Sequence, residues 1–419
     1  MKKTLVLLSA AGLLAMSACS NDGAAGFNGD IQQIPSTDEI QMLDQDESDA
    51  MARMEDFSSV LFNTAAEHYQ EVFTDGDGNM LMSPLSAAMA LAMKANSCDD
   101  ATAGKIARLV GYDNIDAVNS AYSKIIPNLC LKNSGATMSI ANSVWYNSGF
   151  SINPEFASDI NKNYYGEVTG LDFSASEAKD IIRSWCAMKT GNLINDMAPN
   201  VNRETLVLLA NAFYFSANWD SAFDKCLTVD RDFAGTKKTV SVPMMHKDMR
   251  ECLNYSETDR ARIVTLPFQG AHTMTLVLPK DGISSDELSR GISFSALKEE
   301  ATPVFANLHI DLPRFTATAD IDLMTVLSHL GIPQLSMLSN MGIERISQTE
   351  ILHKTSISTD EDGIEMGAAT VVKEDNILPG PQEHPDPEEI NITFDRPFIF
   401  FITDHNSGLT LMAGRICNL

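Results

Sequence analysis

Helical periodicity marks the first patterned part of the chain. Between residues 56 and 73 the apolar positions fall on one face of an α-helix, and they are Phe57, Val60, Leu61, Ala65 and Tyr69. A second helix is predicted over residues 84–95, because Ser83 is a good N-cap and Pro84 suits the first helical position. Both patterns place α-helices early in the chain.

Short apolar runs typical of β-strands recur after these helices. They cover residues 139–145, 206–215, 263–267, 274–278, 308–312, 398–403 and 409–416. Helices fall between the early strands and strands dominate later, which favours an α+β domain with a large sheet. Nothing in the middle of the chain has the composition of a linker, so we predict a single domain over residues 51–419.

The first 18 residues predict an export signal. Lys2 and Lys3 precede an apolar stretch, which ends in small residues before Cys19. This ending resembles a bacterial lipobox, in which Cys19 becomes the acylated N-terminus, and an ordinary signal peptide with an incidental cysteine is the alternative. The apolar run is shorter than the ~20 residues that a membrane-spanning helix needs. We therefore expect an exported outer-membrane lipoprotein, on the cell surface or the periplasmic face, or released outside the cell.

The segment that follows the signal is predicted to be a flexible tether. Residues 19–50 are rich in small and acidic side chains and have few aromatics, so they cannot bury a core. The whole chain carries a formal net charge of −26. Phosphate binding needs clustered Lys and Arg, so this acidity excludes nucleic acid as a partner and mainly favours solubility.

No pattern of an enzyme active site occurs in the sequence. The chain has no G-x-S-x-G elbow, H-E-x-x-H helix, Walker loop or G-x-G-x-x-G turn. The acidic run from Asp75 to Asn79 begins like a calcium loop, but Met80 replaces the required Gly and Ser86 the bidentate Glu. An acidic turn is the better interpretation, and the protein is predicted not to be an enzyme.

Residues that commonly bind metals are scattered along the chain. After Cys19 the cysteines are Cys98, Cys130, Cys186, Cys226, Cys252 and Cys417. No pair has C-x-x-C spacing, and none of the eight histidines has a second ligand at i, i+4. The sequence therefore predicts no metal and no cofactor, and it leaves open whether disulfides form.

Several ordered motifs resemble those of the serpin family. They are N-A-F-Y-F-S-A-N-W at residues 211–219 with Phe223, D-R-P-F-I-F-F at 395–401 with Gly414 and Arg415, S-P-L-S at 83–86, L-P-R-F at 312–315, L-G-I at 330–332 and V-P-M-M at 242–245. The resemblance covers roughly residues 55–419. It implies a serpin fold with three β-sheets, about eight to nine helices and an exposed reactive-centre loop over about residues 361–393.

The resemblance also implies two control points in the central sheet. Ser83, Ser86, Asn211 and His353 match a hydrogen-bonded shutter beneath the sheet, and Trp219 matches the breach where the sheet first opens. A buried polar cluster must be satisfied internally, so it can act as a latch with two arrangements. A purely structural core network is the alternative interpretation, and both can hold together.

The segment from Glu361 to Thr370 resembles the hinge of inhibitory serpins, E-E-G-T-E-A-A-A-A-T. Such serpins present the loop as bait, are cut, and insert the freed strand into their own sheet. Strand side chains alternate between faces, so the residues pointing inward would be Ile364, Met366, Ala368, Thr370 and Val372. No proline occurs between Glu361 and Leu378, and Gly363 and Gly367 allow the hinge to bend. Ile364 and Met366 are bulkier than the Thr and Ala usual in the family, which favours substrate behaviour.

The bond offered to the protease is placed between Ile377 and Leu378. Counting the near-fixed hinge length of inhibitory serpins from Glu361 ends at Ile377, and Pro379 ends any run that can pair in a sheet. The rival Lys373 would shorten the inserted strand by four residues, ~13 Å. Residues 379–389 hold four prolines and are predicted to be an exposed extended loop.

These features predict a monomeric suicide inhibitor whose partner is its target protease. The targets would be serine proteases of elastase-like specificity, with papain-like cysteine proteases as a second class. A non-inhibitory serpin, acting as a binding protein or a decoy substrate, is the alternative.

Overall fold

The structure is a computed structural model that describes Ile34 and residues 45–73, 78–130, 135–189, 201–300, 302–348, 350–364 and 386–419. Several predicted functional positions lie outside this part of the chain. They are the lipid anchor Cys19, the hinge residues Met366, Ala368 and Thr370, and the reactive bond of Ile377 and Leu378.

The described residues form ten α-helices. These are α1 (Gln45–Glu67), α2 (Tyr69–Val72), α3 (Pro84–Ser97), α4 (Asp100–Leu109), α5 (Ile115–Leu129), α6 (Pro154–Tyr164), α7 (Ala178–Lys189), α8 (Ser285–Ser289), α9 (Phe294–Glu300) and α10 (Leu323–His329). The total exceeds the predicted eight to nine because α2 and α8 are only four and five residues long. None of the helices in the described ranges is long and apolar enough to cross a membrane.

The same part of the chain contains seventeen strands. These are β1 (Met80–Met82), β2 (Ala136–Asn147), β3 (Glu167–Leu171), β4 (Val207–Asn218), β5 (Val229–Ala234), β6 (Thr239–Glu257), β7 (Ala261–Pro267), β8 (His272–Pro279), β9 (Pro303–Pro313), β10 (Phe315–Asp322), β11 (Leu335–Leu338), β12 (Ile343–Gln348), β13 (Glu350–Thr359), β14 (Gly363–Ile364), β15 (Glu388–Thr393), β16 (Phe398–Asp404) and β17 (Thr410–Ile416). A short 3-10 helix, Lys225–Leu227, precedes β5.

Three sheets hold these strands. The central sheet has the order β10-β13-β14-β4-β2-β3, a nine-stranded sheet runs from β1 to β15 with β5 paired to β6, and β11 pairs with β12. Within the described residues this arrangement confirms the predicted α+β fold with three sheets. Each predicted strand is present, and most are longer than the apolar run that marked them, because backbone pairing continues past the buried residues.

The first helix begins earlier than the sequence indicated. The tether was predicted to end at residue 50, but α1 starts at Gln45, and Ala50 and Met51 are already buried against the core. Gln45 also donates a side-chain hydrogen bond of 2.7 Å to Asp49, one turn later. This corrects the boundary between tether and domain. The sequence pattern did not mark the start of α1, because its first turns are largely polar and hide the helical period.

Helix α3 is the element that positions the centre of the molecule. All fourteen of its residues are buried, which its many alanines allow because small side chains let the surrounding elements approach closely. Its N-terminus is capped by Ser83, whose Oγ accepts from the Ser86 amide at 3.2 Å, and Pro84 is the first helical residue. The cap therefore lies inside the core, beneath the central sheet.

Candidate functional site

The central sheet has a seat for an extra strand between β13 and β4. These two strands pair directly, in parallel, only where residues 350–352 face 208–210 in the described part of the chain. At the other end of both strands β14 lies between them, and Ile364 is opposite Thr359 of β13 and Ala217 of β4. Both of these pairings are antiparallel, and β14 has one partner on each edge. The predicted hinge thus begins inside the sheet.

Gly363 is required where the chain enters this seat. Its φ is +156°, and a Cβ at this position would lie 2.2 Å from the carbonyl oxygen of Ala217 and 2.7 Å from Cα of Asn218. Both neighbours are backbone atoms and cannot move aside cheaply. Ile364 follows and is 3% exposed, so its side chain is already packed in the core. The entrance therefore accepts an isoleucine.

Trp219 holds the turn that leads into the hinge. Its indole Nε1 donates to the carbonyl of Asp360 at 3.0 Å, and its amide donates to the carbonyl of Asp362 at 3.0 Å. The ring is buried and stacks on Phe268, with centroids 4.5 Å apart, and Phe223 packs edge-on at 5.8 Å. The end of β4 and the start of the hinge are thereby fixed to each other.

Glu361 is buried at the same place and is held on two sides. Its Oε1 accepts hydrogen bonds from Thr228 at 2.7 Å and from the Arg314 guanidinium at 2.5 Å. Burial alone raises the pKa of Glu361, but these two hydrogen bonds outweigh that effect, so the pKa lies below its ordinary value. The carboxylate is charged at neutral pH and anchors the hinge to strands β5 and β9 through the residues that flank them.

The predicted shutter residues meet beneath the other end of the seat. The Ser83 amide donates to Nε2 of His353 at 3.2 Å, and the Ser83 hydroxyl donates to the Leu411 carbonyl at 2.6 Å. Ser83 and His353 are both buried, and burial lowers the pKa of His353 to about 4. Because Nε2 accepts, the proton of this neutral imidazole lies on Nδ1.

A second branch of the shutter crosses the sheet to β2. The hydroxyl of Ser86 donates to Oδ1 of Asn211, and Nδ2 of Asn211 donates to Oδ1 of Asn142 at 2.6 Å. Asn142 in turn donates to the carbonyl of Tyr164 at 2.8 Å. Asn142 was not predicted, because its only signal in the sequence is that it is a polar residue inside an apolar strand. Its position directly opposite Asn211 follows from the register of β2 and β4.

The structure divides the predicted site residues between two places. Trp219, Glu361, Gly363 and Ile364 lie at the top of the seat, and the shutter residues lie at its base. Asn211 and Trp219 are eight residues apart, which is ~26 Å along an extended chain. Asn211 and His353, which belong to the shutter, directly follow Ala210 and Leu352, the last residues through which β4 and β13 pair with each other. A strand entering from the top would reach the shutter last.

Comparison with known proteins gives the same family along nearly the whole domain. The family model described as "Serpin (serine protease inhibitor)" matches residues 53–419. A protein of Methanosarcina mazei named "Uncharacterized serpin-like protein" is 28% identical over 367 residues, covering 85% of this chain and 84% of that protein. The leukocyte elastase inhibitor of Homo sapiens is 27% identical over 357 residues, covering 81% of this chain and 92% of that protein.

Solved structures agree with the sequence comparison. The native thermophilic serpin tengpin superposes with a TM-score of 0.76 at 25% identity, covering 94% of this chain and all of that one. Serpin48, described as a highly specific serpin of the insect Tenebrio molitor, gives a TM-score of 0.74 at 27% identity, covering 90% of this chain and all of that one. With the family match over residues 53–419 and the seat for a strand in its central sheet, the chain belongs to the serpin family.

Proposed function

We propose that this serpin inhibits serine proteases, and papain-like cysteine proteases as a second class, as a suicide substrate. The observation that carries the proposal is the seat of β14, which already pairs with β13 on one edge and with β4 on the other. Insertion would continue a strand that has begun. The match to leukocyte elastase inhibitors supports an inhibitory role.

The register of β14 determines where each inserted residue would lie. Six residues beyond Ile364, Thr370 would come opposite Asn211 of β4 and His353 of β13. Up to that point the strand displaces no direct pair of β13 with β4. Further entry must separate the parallel pairs at 350–352, directly beyond the shutter. The shutter is therefore the latch that insertion has to open.

The floor of the seat suits the predicted inward face of the hinge. Residues opposite one another in antiparallel strands share a face, so residues 366 and 368 would face the core beside Phe215 and Phe213 of β4. Those two side chains are buried, as is Ile357 on the β13 side. An apolar floor accepts Met366 and Ala368 and rejects charge.

The energy of insertion is large enough to act on a partner. A net hydrogen bond stabilises a fold by ~0.5–1.5 kcal/mol, so about fourteen inserted residues would release on the order of ten kcal/mol. That is comparable with the whole stability of a typical domain. The same energy explains why the sheet must be latched before cleavage.

The covalent step is an acyl transfer that stops at the acyl-enzyme intermediate. The protease serine oxygen, or cysteine sulfur, attacks the carbonyl carbon of Ile377, and the bond to the nitrogen of Leu378 breaks. The proton of the serine hydroxyl or cysteine thiol passes to the nitrogen of Leu378, which leaves as a new amino terminus, while Ile377 stays bound to the protease as an ester or thioester. Insertion then carries the protease away from the loop and distorts it before water can complete hydrolysis. A branched aliphatic residue before the cut favours elastase-like pockets.

Anchoring through Cys19 is part of the same proposal. The lipobox-like ending of the export signal would mark Cys19 for acylation, and the residues after Cys19 would tether the domain to a membrane. Inhibition would then act at the surface that carries the anchor. The protease, not a nucleic acid or a cofactor, is the proposed partner.

The test is incubation of the purified protein with pancreatic elastase, followed by denaturing electrophoresis and mass spectrometry. We expect a covalent band at the mass of the protease plus the chain up to Ile377, and a released C-terminal peptide that begins at Leu378. Trypsin is the matched control, because it should cut after Lys373 and escape. Cleavage by elastase without any trapped complex would favour the non-inhibitory alternative, and a peptide beginning at Glu374 from a trapped complex would contradict the assigned bond.

A further inference from the structure

Two histidines that are far apart in the sequence meet on the exposed face of the nine-stranded sheet. His246 and Asp248 lie on β6, and His309 and Asp311 lie on β9. In the antiparallel register His246 is opposite Asp311, and Asp248 is opposite His309. Side chains two residues apart on a strand share a face, so these four side chains project together. Their spacing in sequence gave no sign of this cluster.

We propose that this cluster is a binding site for one divalent transition-metal ion, held by Nε2 of His246, Nδ1 of His309 and the carboxylate of Asp248. Both nitrogens converge on the same oxygen, Oδ1 of Asp248, at 3.1 Å from His246 and 2.6 Å from His309. The three ligand atoms lie within 4.8 Å of one another. Ligands of a tetrahedral Zn²⁺ are about 3.4 Å apart, so small side-chain shifts would admit the ion.

Each imidazole is also oriented by a second carboxylate on its far side. Nδ1 of His246 lies 2.8 Å from Oδ1 of Asp311, and Nε2 of His309 lies 3.1 Å from Oε2 of Glu389. This is the arrangement found at histidine-bound metals, where a carboxylate takes the proton of one ring nitrogen and leaves the other nitrogen to the ion. Both histidines have it, and in each the other nitrogen is the one that points at Asp248.

Neighbouring side chains hold the two orienting carboxylates in place. Asp311 accepts from the Arg231 guanidinium at 2.7 Å and from the Thr393 hydroxyl at 3.1 Å, both at Oδ2. Glu389 accepts from Nδ2 of Asn307 at 2.7 Å. Arg250 adds a further nearby positive charge to Glu389. These contacts come from β5, β6, β9 and β15, so the site is built from four strands.

The donor set favours particular ions. Two imidazoles and one carboxylate suit Zn²⁺, Cu²⁺ or Ni²⁺ better than Mg²⁺ or Ca²⁺, which prefer oxygen ligands alone. His246 and His309 have 27% and 35% of their side-chain surface exposed, so an ion can enter and water can complete the coordination. When both imidazoles are neutral, the carboxylates of Asp248, Asp311 and Glu389 and the guanidiniums of Arg231 and Arg250 give the cluster a net charge of about −1, which favours a cation.

Protons compete with the ion for the same nitrogens. Hydrogen bonds to Asp248 and then Glu389 raise the pKa of His309 above its ordinary value. Below that pKa both ring nitrogens carry protons and cannot bind a metal, so affinity falls as pH falls. The facing groups are Arg231 from β5, Asp248 and Arg250 from β6, Asp311 from β9 and Glu389 from β15.

Binding also restrains β15, the strand that forms the C-terminal end of the predicted reactive-centre loop. Glu389 belongs to β15, and it is connected to the ion through His309. An occupied site removes the competing proton from His309 and fixes its ring, which holds β15 against β9. Amide hydrogen exchange in residues 388–393 should therefore slow when the ion is bound.

The experiment is calorimetric titration of the purified protein with ZnCl₂ at pH 7.5, in two buffers of different ionisation enthalpy. We expect one ion per chain with proton release, weaker binding at pH 6, and slower exchange in residues 388–393. Replacing zinc with Co²⁺ should give the intense visible bands of a four-coordinate ion. His246→Gln, His309→Gln and Asp248→Asn should each weaken binding by at least about 100-fold, and Asp311→Asn by about 10- to 100-fold.

Two matched controls come from elsewhere on the surface. His329 forms a second cluster with His68 and Glu71, and its ligand atoms also lie within 4.8 Å of one another. Its two rings, however, are stacked with centroids 3.4 Å apart and planes 10° apart, so the in-plane lone pairs of their nitrogens run side by side and do not point at one ion. His329→Gln and, for the exposed thiol, Cys226→Ser should bind zinc as the unchanged protein does. No binding up to millimolar zinc would overturn the proposal, and so would binding that survives in folded His309→Gln or disappears in His329→Gln.

Discussion

At the scale of single residues, the shutter depends on which atoms carry protons. Nε2 of His353 accepts the hydrogen bond of the Ser83 amide, so the buried imidazole must stay neutral. Burial lowers its pKa from 6.5 to about 4. A proton on Nε2 would bring two donors face to face under the sheet, which makes this hydrogen-bonded cluster sensitive to acid.

The first prediction is that His353 makes the intact protein lose stability in mild acid. Above pH 6.5 the imidazole is neutral in both the folded and the unfolded chain and adds no pH dependence. As pH falls from 6.5 towards 4, only the unfolded chain takes up this proton, so the free energy of unfolding falls, by about 2 kcal/mol at pH 5. Melting temperatures at pH 7 and pH 5 measure the effect.

His353→Gln is the matched variant for this prediction, because its amide oxygen can accept from Ser83 but cannot titrate. Its melting temperature should fall less between pH 7 and pH 5 than that of the unchanged protein. Equal falls in the two proteins would show that other groups cause the acid sensitivity.

Residue-level sequence reasoning worked where the signal is local. The cap at Ser83 and the proline after it predicted the start of α3, since capping depends on residues one turn apart. The partners of Glu361 could not be predicted in that way. Arg314 is 47 residues distant and Thr228 is 133 residues distant, and only the packing of the hinge against β5 and β9 brings them together.

At the scale of elements, β14 is the strand on which the proposed insertion depends. A two-residue strand has no periodicity, so the sequence could not mark it, and the prediction of a hinge there came from family resemblance. The longest strand, β6, was missed for a different reason, because most of its residues are at least partly exposed and its buried positions are irregular. The strands that were predicted from contiguous apolar runs, such as β8 and β16, are present in the structure.

The second prediction tests the inward face of the hinge. Ala368→Glu or Thr370→Arg should abolish inhibition and leave the loop cleavable, because either change puts an unpaired charge into the sheet and costs several kcal/mol on insertion. The measurement is the ratio of trapped to cleaved product with elastase. Glu365→Lys is the control, since residue 365 would face outward and the change should leave the ratio nearly unaltered. Unchanged trapping by the Ala368 and Thr370 variants would contradict insertion.

At the scale of the whole molecule, we propose that the N-terminal segment anchors the acidic inhibitory domain to a membrane. The chain's net charge of −26 would favour solubility of the domain at the end of the proposed tether, and acylated Cys19 would attach it to a lipid surface. Neither property follows from the fold. The sheet and the shutter need no membrane, so anchoring and inhibition can be separated by experiment.

The third prediction separates them. In cells that process lipoproteins, Cys19→Ala should move the protein from the membrane fraction to the soluble fraction, because the acylated residue is lost. Its ability to trap elastase should not change. A variant that stays in the membrane fraction would show that something other than Cys19 holds it there.

The fourth prediction concerns the energy held in the intact fold. If the direct pairs at 350–352 of β13 and 208–210 of β4 give way to a full strand between them, cleavage must convert the protein to a more stable form. Protein cut between Ile377 and Leu378 should therefore melt at a much higher temperature than intact protein. The comparison needs a protease that cuts and releases the loop, so that no trapped partner adds stability of its own. Ala368→Glu, cut in the same way, is the matched control, because cleavage without insertion should leave its melting temperature close to that of its intact form. A similar large rise in that variant would mean that relief of strain in the loop, not insertion of the strand, stabilises the cut protein.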